Sequence, residues 1–161
     1  MKVTAPSLDA RGMRIALVVS RFNHLISIRL LDGAREALLA HGVCAENLEL
    51  TWVPGAFEIP QAARMLARSG RFDAIVTLGS VIRGGTPHFD YVCRGVTDGL
   101  RELMRESDVP VGFGVLTTDD IDQALARAGG RDGNKGGEVA LAAVEMAQLM
   151  RGLGVAAREA R

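Results

Sequence analysis

A histidine near the start of an amphipathic run is the residue best placed for proton-transfer chemistry in this sequence. His88 follows Thr86 and Pro87, and Gly84 and Gly85 come just before them. Thr86 can cap a helix and Pro87 suits the first helical position, so His88 should fall in the first turn. Free backbone N–H groups at a helix start, beside a glycine turn, suit an anion such as phosphate. The pattern predicts an anion site next to an imidazole.

The same position predicts the protonation state of His88. The positive end of the helix dipole disfavours imidazolium, so the ring should be largely neutral and able to accept a proton. A phosphate bound beside it would act in the opposite direction. The alternative is that His88 is only a polar residue in a first turn, but the Gly-Gly-Thr-Pro context favours the functional interpretation.

Two residues after earlier apolar runs are further candidates. Phe22, between Arg21 and Asn23, is either a loop aromatic packed over the sheet edge or a stacking platform for a planar ring. Glu58 is either a ligand contact or a first-turn acid favoured by the helix dipole. Position alone does not separate these alternatives.

The C-terminal third holds two candidate cations. Arg127 in a last helical turn is ordinarily a partner for the helix carbonyls. Lys135 precedes a helix, where the dipole repels a cation, and a local rule broken without evident gain often marks a functional position. Thr117, Thr118 and Asp120 are interpreted as helix-capping residues.

Strands buried on both faces are predicted to position these residues. Four short runs rich in Val, Ile or Leu lack clean alternation, which is typical of such strands; they are Ile15 to Val19, Leu48 to Val53, Ala74 to Leu78 and Val111 to Val115. The longer stretches between them have helical spacing. We therefore predict an α/β three-layer sandwich, flavodoxin-like, with a central parallel four-stranded sheet and helices on both faces.

The helical faces follow from apolar spacing. One face comprises Leu30, Leu31, Ala34, Leu38 and Leu39, and another comprises Val92, Val96, Leu100, Leu103 and Met104. His41-Gly42 should close the first of these helices. A short helix should end near Ala128, before Gly129-Gly130, and a final helix should run from about Glu138 to Leu153.

The loops that leave the carboxyl ends of the strands carry the unusual residues. In an open parallel sheet these loops line the ligand crevice. They contain residues 20–23, 53–58, 80–88 and 117–120. We expect all four to converge on one site.

Composition restricts the possible partners. Lys plus Arg and Asp plus Glu are equal, at 19 each, without a basic stripe, which argues against nucleic acid or an anionic membrane. No apolar stretch approaches the ~20 residues of a membrane span, and the N-terminus has no secretory pattern. Cys44 and Cys93 belong to no CxxC pair, so free thiols in the cytoplasm are expected. The three histidines lack metal-ligand spacing, and no metal is expected.

The length of 161 residues fits one domain, predicted over residues 1–161. Residues 1–12 are predicted to be an extended N-terminal segment. Residues 154–161 are predicted to be a flexible tail.

Five segments in order resemble the 6,7-dimethyl-8-ribityllumazine synthase family of riboflavin biosynthesis. They are SRFN (20–23), WVPGAFEIP (52–60), TLGSVIRGGTPHFDYV (77–92), FGVLTT (113–118) and RAGGRDGNKG (127–136). The resemblance implies condensation of 5-amino-6-ribitylaminouracil with 3,4-dihydroxy-2-butanone 4-phosphate, releasing phosphate and water. It implies no metal or organic cofactor.

The resemblance also implies roles for individual residues. His88 would move protons and Phe22 would stack on the pyrimidine. The remaining contacts would be Ala56, Phe57 and Glu58 to the ribityl chain, backbone around Val81 and Ile82 to the ring's polar edge, and Gly85, Thr86 and Arg127 to the phosphate. Phe113, Arg127 and Lys135 would reach the site from a neighbouring subunit.

Assembly is implied by the same resemblance. Family members form pentamers, and some stack twelve pentamers into a hollow icosahedral shell. Residues 129–136, which end in GNKG, resemble shell-forming members. Riboflavin synthase is a candidate protein partner. A non-catalytic flavin- or lumazine-binding protein is one alternative; it would keep Phe22 but would need neither His88 nor Arg127, so retention of both argues against it. A shell without catalysis is the other, and the presence of Phe22, Glu58, His88, Arg127 and Lys135 argues against that.

Holding two reactants in attacking geometry contributes roughly 7 to 11 kcal/mol in well-oriented systems. A general acid–base group typically contributes 10²- to 10⁴-fold in rate. We therefore expect orientation to dominate catalysis, with His88 as a helper.

Overall fold

The four predicted apolar runs form one parallel sheet in the computed structural model of the chain, which describes residues 1, 3 and 5–154. The strands are β1 (Ile15–Ser20), β2 (Leu48–Val53), β3 (Ala74–Ile82) and β4 (Val111–Thr118). Their spatial order is β2-β1-β3-β4, and all neighbours are parallel. This is the flavodoxin-like strand order, which confirms the predicted fold.

Among the described residues, five α-helices cover the two faces of the sheet. They are α1 (His24–Ala40), α2 (Ile59–Arg68), α3 (His88–Glu106), α4 (Ile121–Arg127) and α5 (Lys135–Gly152). Helices α1, α4 and α5 share one apolar cluster with the sheet, and α2 and α3 share the other. The predicted three-layer sandwich is therefore present.

Strand β1 is the centre of both apolar clusters. All six of its residues are buried, and successive side chains point to opposite faces. Ile15, Leu17 and Val19 pack toward α1 and α5, whereas Ala16 and Val18 pack toward α2 and α3. Each fully buried aliphatic side chain of this size contributes roughly 1.5–3 kcal/mol. Burial on both faces explains why these residues do not alternate with polar ones.

The two outer strands differ from the prediction. In β2 only Val53 is buried, because β2 forms one edge of the sheet; the expectation of burial on both faces was wrong there. Strand β4 forms the other edge and exposes Phe113 and Thr117. Strands β3 and β4 are also longer than predicted, since their pairing continues to Ile82 and Thr118.

The two predicted helical faces are buried except at their ends. In α1, Leu30, Leu31, Ala34 and Leu38 are buried, but Leu39 is 36% exposed. In α3, Met104 is 55% exposed although Val96, Leu100 and Leu103 are buried. Each exposed residue directly follows a buried one, about 100° further round the helix, which turns it out of the core.

Local capping sets the helix ends. His41 Nδ1 lies 2.8 Å from Ala37 O, and Gly42 has a φ of 99°, as predicted for the end of α1. Asp120 caps α4 by accepting from Gln123 N at 2.8 Å. Thr117 and Thr118 were predicted as caps as well, but both belong to β4.

The segment before α5 contains a hairpin that the sequence did not predict. It pairs β5 (Ala128–Gly130) with β6 (Gly133–Asn134) in antiparallel fashion. Helix α5 then begins at Lys135, because the side chain of Asn134 accepts from the backbone N–H groups of Gly136 and Gly137. Its start is three residues earlier than the predicted Glu138.

The N-terminal segment is tied to the core at its C-terminal end. Ala10 and Met13 are fully buried, and Gln148 of α5 donates to the backbone oxygen of Asp9. Of the predicted tail, residues 155–161 lie outside the described residues. Within the described chain no helix combines the length and apolar character that a membrane span requires.

Candidate active site

A cavity of about 580 Å³ lies at the carboxyl ends of β1, β2 and β3. Eight of the predicted site residues line it: Phe22, Ala56, Phe57, Glu58, Val81, Ile82, Thr86 and His88. Three of the four predicted loops therefore converge on one place. The other lining residues are Asn23, Gly55, Ser80 and Gly84, which belong to the predicted loops, and Phe89, Tyr91 and Val92 of α3, which were not predicted.

The loop after β1 presents Phe22 at the cavity rim. The ring is 72% exposed, but its backbone is held, because Phe22 N donates to Pro54 O at 3.0 Å. The next residue, Asn23, has a φ of 57°, in the left-handed region that Asn tolerates better than most residues. Asn23 Nδ2 donates to Ser80 O at 2.9 Å. These hydrogen bonds fix the backbone of the loop that carries the exposed Phe22 ring.

The loop after β2 folds into a single turn that places three predicted residues. Glu58 Oε2 accepts from Gly55 N at 2.9 Å, so this carboxylate caps its own turn while it lines the cavity. Ala56 is buried, and Phe57 is 59% exposed. A Cβ added at Gly95 of α3 would lie 2.8 Å from Phe57 Cδ2. The Phe57 ring thus rests on a gap in α3 that only glycine provides.

The end of β3 offers backbone groups to the cavity. Pairing between β1 and β3 ends at Val19 and Leu78, whereas β3 continues to Ile82 with β4 on its other side. Ser80 O is taken by Asn23. Backbone groups of successive strand residues point to opposite sides, so those of Ile82 face the cavity, whereas those of Val81 face β4. Sequence reasoning assigned these residues to a loop, but they lie in a strand with an uncovered edge.

The turn from Gly84 to Pro87 leads directly into α3. A Cβ added at Gly84 or Gly85 would meet nothing within 4 Å, so the space beside this turn is open. Pro87 has helical dihedral angles and precedes His88, the first residue of α3, with no side-chain hydrogen bond capping the helix. The prediction that Thr86 caps α3 was therefore wrong, and its side chain is left for the cavity. His88 is exposed at the rim.

Four predicted site residues do not line this cavity. Gly85 belongs to the adjacent turn but is not a lining residue. Phe113 is 43% exposed on β4, in an apolar groove of about 500 Å³ with Met104 and Met146. Arg127 Nη1 donates to Gln123 O at 3.0 Å, and it lies 3.5 Å from an Asp132 carboxylate oxygen.

Lys135 has a local partner that the sequence argument overlooked. Its Nζ lies 2.6 Å from Glu138 Oε2, one turn along α5. The carboxylate offsets the cation at the positive end of the helix dipole. The positive charge of Lys135 is therefore compensated by a neighbouring carboxylate, which the sequence did not predict.

The two cysteines are both free. Burial raises the pKa of the Cys93 thiol, and the negative charge of Asp90 adds to this effect. The partly buried Cys93 is therefore a weaker candidate for a reactive thiolate than an ordinary exposed thiol. Among the described residues, no three His, Cys, Asp or Glu side chains cluster in a way that could hold a metal ion.

A flavodoxin-like sheet with an apolar cleft at its carboxyl edge, an uncovered strand edge and a histidine at a helix start defines an α/β enzyme that acts on a small molecule. The sequence model of the 6,7-dimethyl-8-ribityllumazine synthase family matches residues 12–151. Proteins named 6,7-dimethyl-8-ribityllumazine synthase from two strains of Clostridium kluyveri are each 52% identical to the chain over 153 residues. These alignments cover 95% of the chain and 99% of each relative.

The chain belongs to the 6,7-dimethyl-8-ribityllumazine synthase family. It is accordingly a transferase of riboflavin biosynthesis. The resemblance found in five short segments thus extends over nearly the whole chain.

Proposed function

We propose that this enzyme condenses 5-amino-6-ribitylaminouracil with 3,4-dihydroxy-2-butanone 4-phosphate to give 6,7-dimethyl-8-ribityllumazine, phosphate and water. One observation carries this proposal. The exposed Phe22 ring, the end of β3, the glycine turn before α3 and His88 all lie around one cavity. Family membership supports this reaction, and the groups that line the cavity suit the parts of the two proposed substrates.

The pyrimidine ring is proposed to stack on Phe22, with its polar edge on the backbone of Val81 and Ile82. A planar ring with alternating donors and acceptors can pair with a strand edge as another strand would. The ribityl chain would then extend toward Ala56, Phe57 and Glu58, which lie in the turn after β2. This arrangement combines apolar area with a few fixed polar groups, as small-molecule sites usually do.

The phosphate of the second substrate is proposed to bind at the turn before α3. Thr86 lines the cavity there, and the turn at Gly85 has open space beside it. Backbone N–H groups at the start of α3 favour an anion. This location would place the carbon skeleton of the second substrate between the phosphate site and Phe22, within reach of His88.

The proposed chemistry proceeds by proton transfers. The 5-amino group attacks the ketone, the carbinolamine loses water to form an imine, phosphate leaves by elimination, and the ribityl-substituted amine closes the ring with loss of water. His88 would accept and return protons in these steps. No step changes an oxidation state through a carrier or requires a metal as electrophile, so we propose a reaction without metal or organic cofactor.

A neighbouring subunit is proposed to complete the site with Phe113, Arg127 and Lys135. Two observations support this proposal: all three lie outside the cavity of their own chain, and Phe113 stands exposed in an apolar groove beside edge strand β4. An exposed aromatic residue in such a groove is typical of an interface. We propose a homo-oligomer, either a pentamer or twelve pentamers, and retain riboflavin synthase as a candidate partner. The two free thiols support a cytoplasmic location.

The test is to mix both substrates with the purified protein and follow lumazine absorbance and fluorescence. Product formation that requires protein and both substrates is expected. Binding of a flavin or lumazine without turnover would instead indicate a binding protein, and an assembled particle without either property would indicate a shell. Light scattering separates a pentamer, a decamer and a sixty-subunit particle.

A further inference from the structure

Arg83 connects the two ends of the turn that carries the proposed anion site. It directly follows β3 and precedes Gly84. Its backbone N donates to Thr118 O at 2.9 Å, which extends the β3–β4 pairing by one step. The position of its Cα is therefore set by the sheet.

The guanidinium of Arg83 reaches across the turn to α3. It lies over the Phe89 ring, 4.1 Å from the centroid, and Nη1 is 3.4 Å from Asp90 Oδ1. Nε donates to Asp119 Oδ1 at 3.0 Å in the loop after β4. One side chain thus links the end of β4, the first turn of α3 and a wall residue of the cavity.

The charges at this place decide how well an anion can bind. Asp90 is an acidic residue in the first turn of α3. Its carboxylate interacts favourably with the positive end of the helix dipole, which would also attract a phosphate. An unpaired carboxylate there would repel a phosphate dianion. The adjacent guanidinium offsets part of that charge, since it is shared between Asp90 and Asp119. Hydrogen bonding to Asp119 raises the pKa of Arg83, so the cation persists at all physiological pH values.

On the basis of the proposed function, we propose that Arg83 is a positioning residue for the phosphate-carrying substrate: it holds the Gly84–Pro87 turn against α3 and offsets the charge of Asp90. Arg83 does not line the cavity and is not expected to touch substrate. Its effect reaches the substrate through the turn and through Asp90.

A double-mutant cycle tests this role. Because the pair is solvent-exposed, Arg83→Gln should raise KM for the butanone phosphate by only about two- to fivefold. The KM for the pyrimidine should stay within about twofold, since Phe22 and the β3 edge are untouched. Asp90→Asn added to Arg83→Gln should recover most of the lost affinity, because the repelling carboxylate is gone. Titration of inorganic phosphate by calorimetry gives the same comparison without turnover.

Arg101→Gln is the matched control. It breaks another exposed Arg–Asp pair of α3, with Asp98 at 3.2 Å, and should leave both KM values unchanged. If Arg83→Gln does not fold, Asp119→Ala removes the acceptor of the Arg83 Nε hydrogen bond and should raise the same KM.

Three outcomes would contradict the inference. They are an unchanged phosphate KM in an active Arg83→Gln enzyme, an equal rise in both KM values, and no recovery in the double variant. Absence of wild-type turnover would count against the proposed function instead, and the phosphate titration would still decide the role of Arg83.

Discussion

Asn23 Nδ2 donates a hydrogen bond of 2.9 Å to the backbone oxygen of Ser80, which joins the loop after β1 to the far end of β3. The two residues are 57 positions apart in the chain. Asn23 makes this bond from a left-handed backbone conformation, with φ at 57°. The bond therefore fixes both Phe22 and the strand edge that faces it across the cavity.

Asn23→Ala should destabilise the protein by about 2 kcal/mol, because it combines a lost hydrogen bond with left-handed strain. Asn23→Gly should cost less, since glycine adopts this conformation without strain. Urea unfolding at one fixed protein concentration measures both values. If the glycine variant is no more stable than the alanine variant, backbone strain at this position is not important.

His88→Ala should slow turnover and leave measurable activity. Loss of a general acid–base group typically costs 10²- to 10⁴-fold, and we expect a value toward the lower end because orientation dominates. Steady-state kcat is the measurement. His41→Ala is the control. His41 lies at the C-terminal end of α1, away from the cavity beside the N-terminal end of that helix, so this variant should leave kcat unchanged. An unchanged kcat in His88→Ala would contradict the proposed role of His88 in proton transfer.

Arg127→Ala should raise the KM for the butanone phosphate by roughly tenfold, the size expected for a lost hydrogen bond to a charged group. The KM for the pyrimidine should change little. Arg131→Ala is the matched control, since its side chain is 84% exposed in the turn of the adjacent hairpin β5–β6. A selective rise in the pyrimidine KM would show that Arg127 binds the other substrate.

Gly95→Ala should change the site more than the fold. The added methyl group would displace the Phe57 ring, but this ring is largely exposed and can move. The better helix propensity of alanine, about 1 kcal/mol, offsets part of the cost. We expect a severalfold higher KM for the ribityl substrate and little change in the free energy of unfolding. In a Phe57→Ala background the same substitution should have no further effect on KM; an effect there would mean that the ring does not carry the interaction.

The two thiols should react at different rates with an aromatic disulfide reagent. Cys44 is exposed, whereas burial raises the pKa of Cys93. At about pH 8 Cys93 therefore holds less thiolate and should react more slowly. Its rate should keep rising above pH 9, where an unperturbed thiol levels off. The Cys44→Ser variant isolates the slow reaction, and a fast single phase in that variant would contradict the assignment.

The order of strands and helices could be predicted because apolar runs and turn residues record local structure. The ends of β3 and β4 could not, since Ser80, Thr117 and Thr118 are polar residues that sequence patterns assign to loops. Their strand conformation depends on pairing between β3 and β4, in which Ser80 is opposite Leu116 and the two threonines are opposite Val81 and Ile82; this pairing is a tertiary property. Hairpin β5–β6 was missed for a similar reason, as its strands are short and rich in glycine.

Several cavity residues were hidden by their resemblance to core residues. Phe89 and Val92 fit the apolar pattern of α3 and carry no separate signal, although both line the cavity. Tyr91 is 69% exposed at the rim, and its polar tip was the available clue. For Arg127 and Lys135, local helix rules explain the positions observed within one chain, and the role proposed for them in the site depends on a second chain.

The uncovered edge of β3 has an evolutionary consequence. A ligand held there would be recognised by amide and carbonyl groups, which every amino acid except proline supplies in the same positions. Exchange of Val81 or Ile82 for another aliphatic residue would preserve that recognition. A change in ligand preference would instead require a different strand length or register, so selectivity at this point should be robust to drift and difficult to redirect by point mutation.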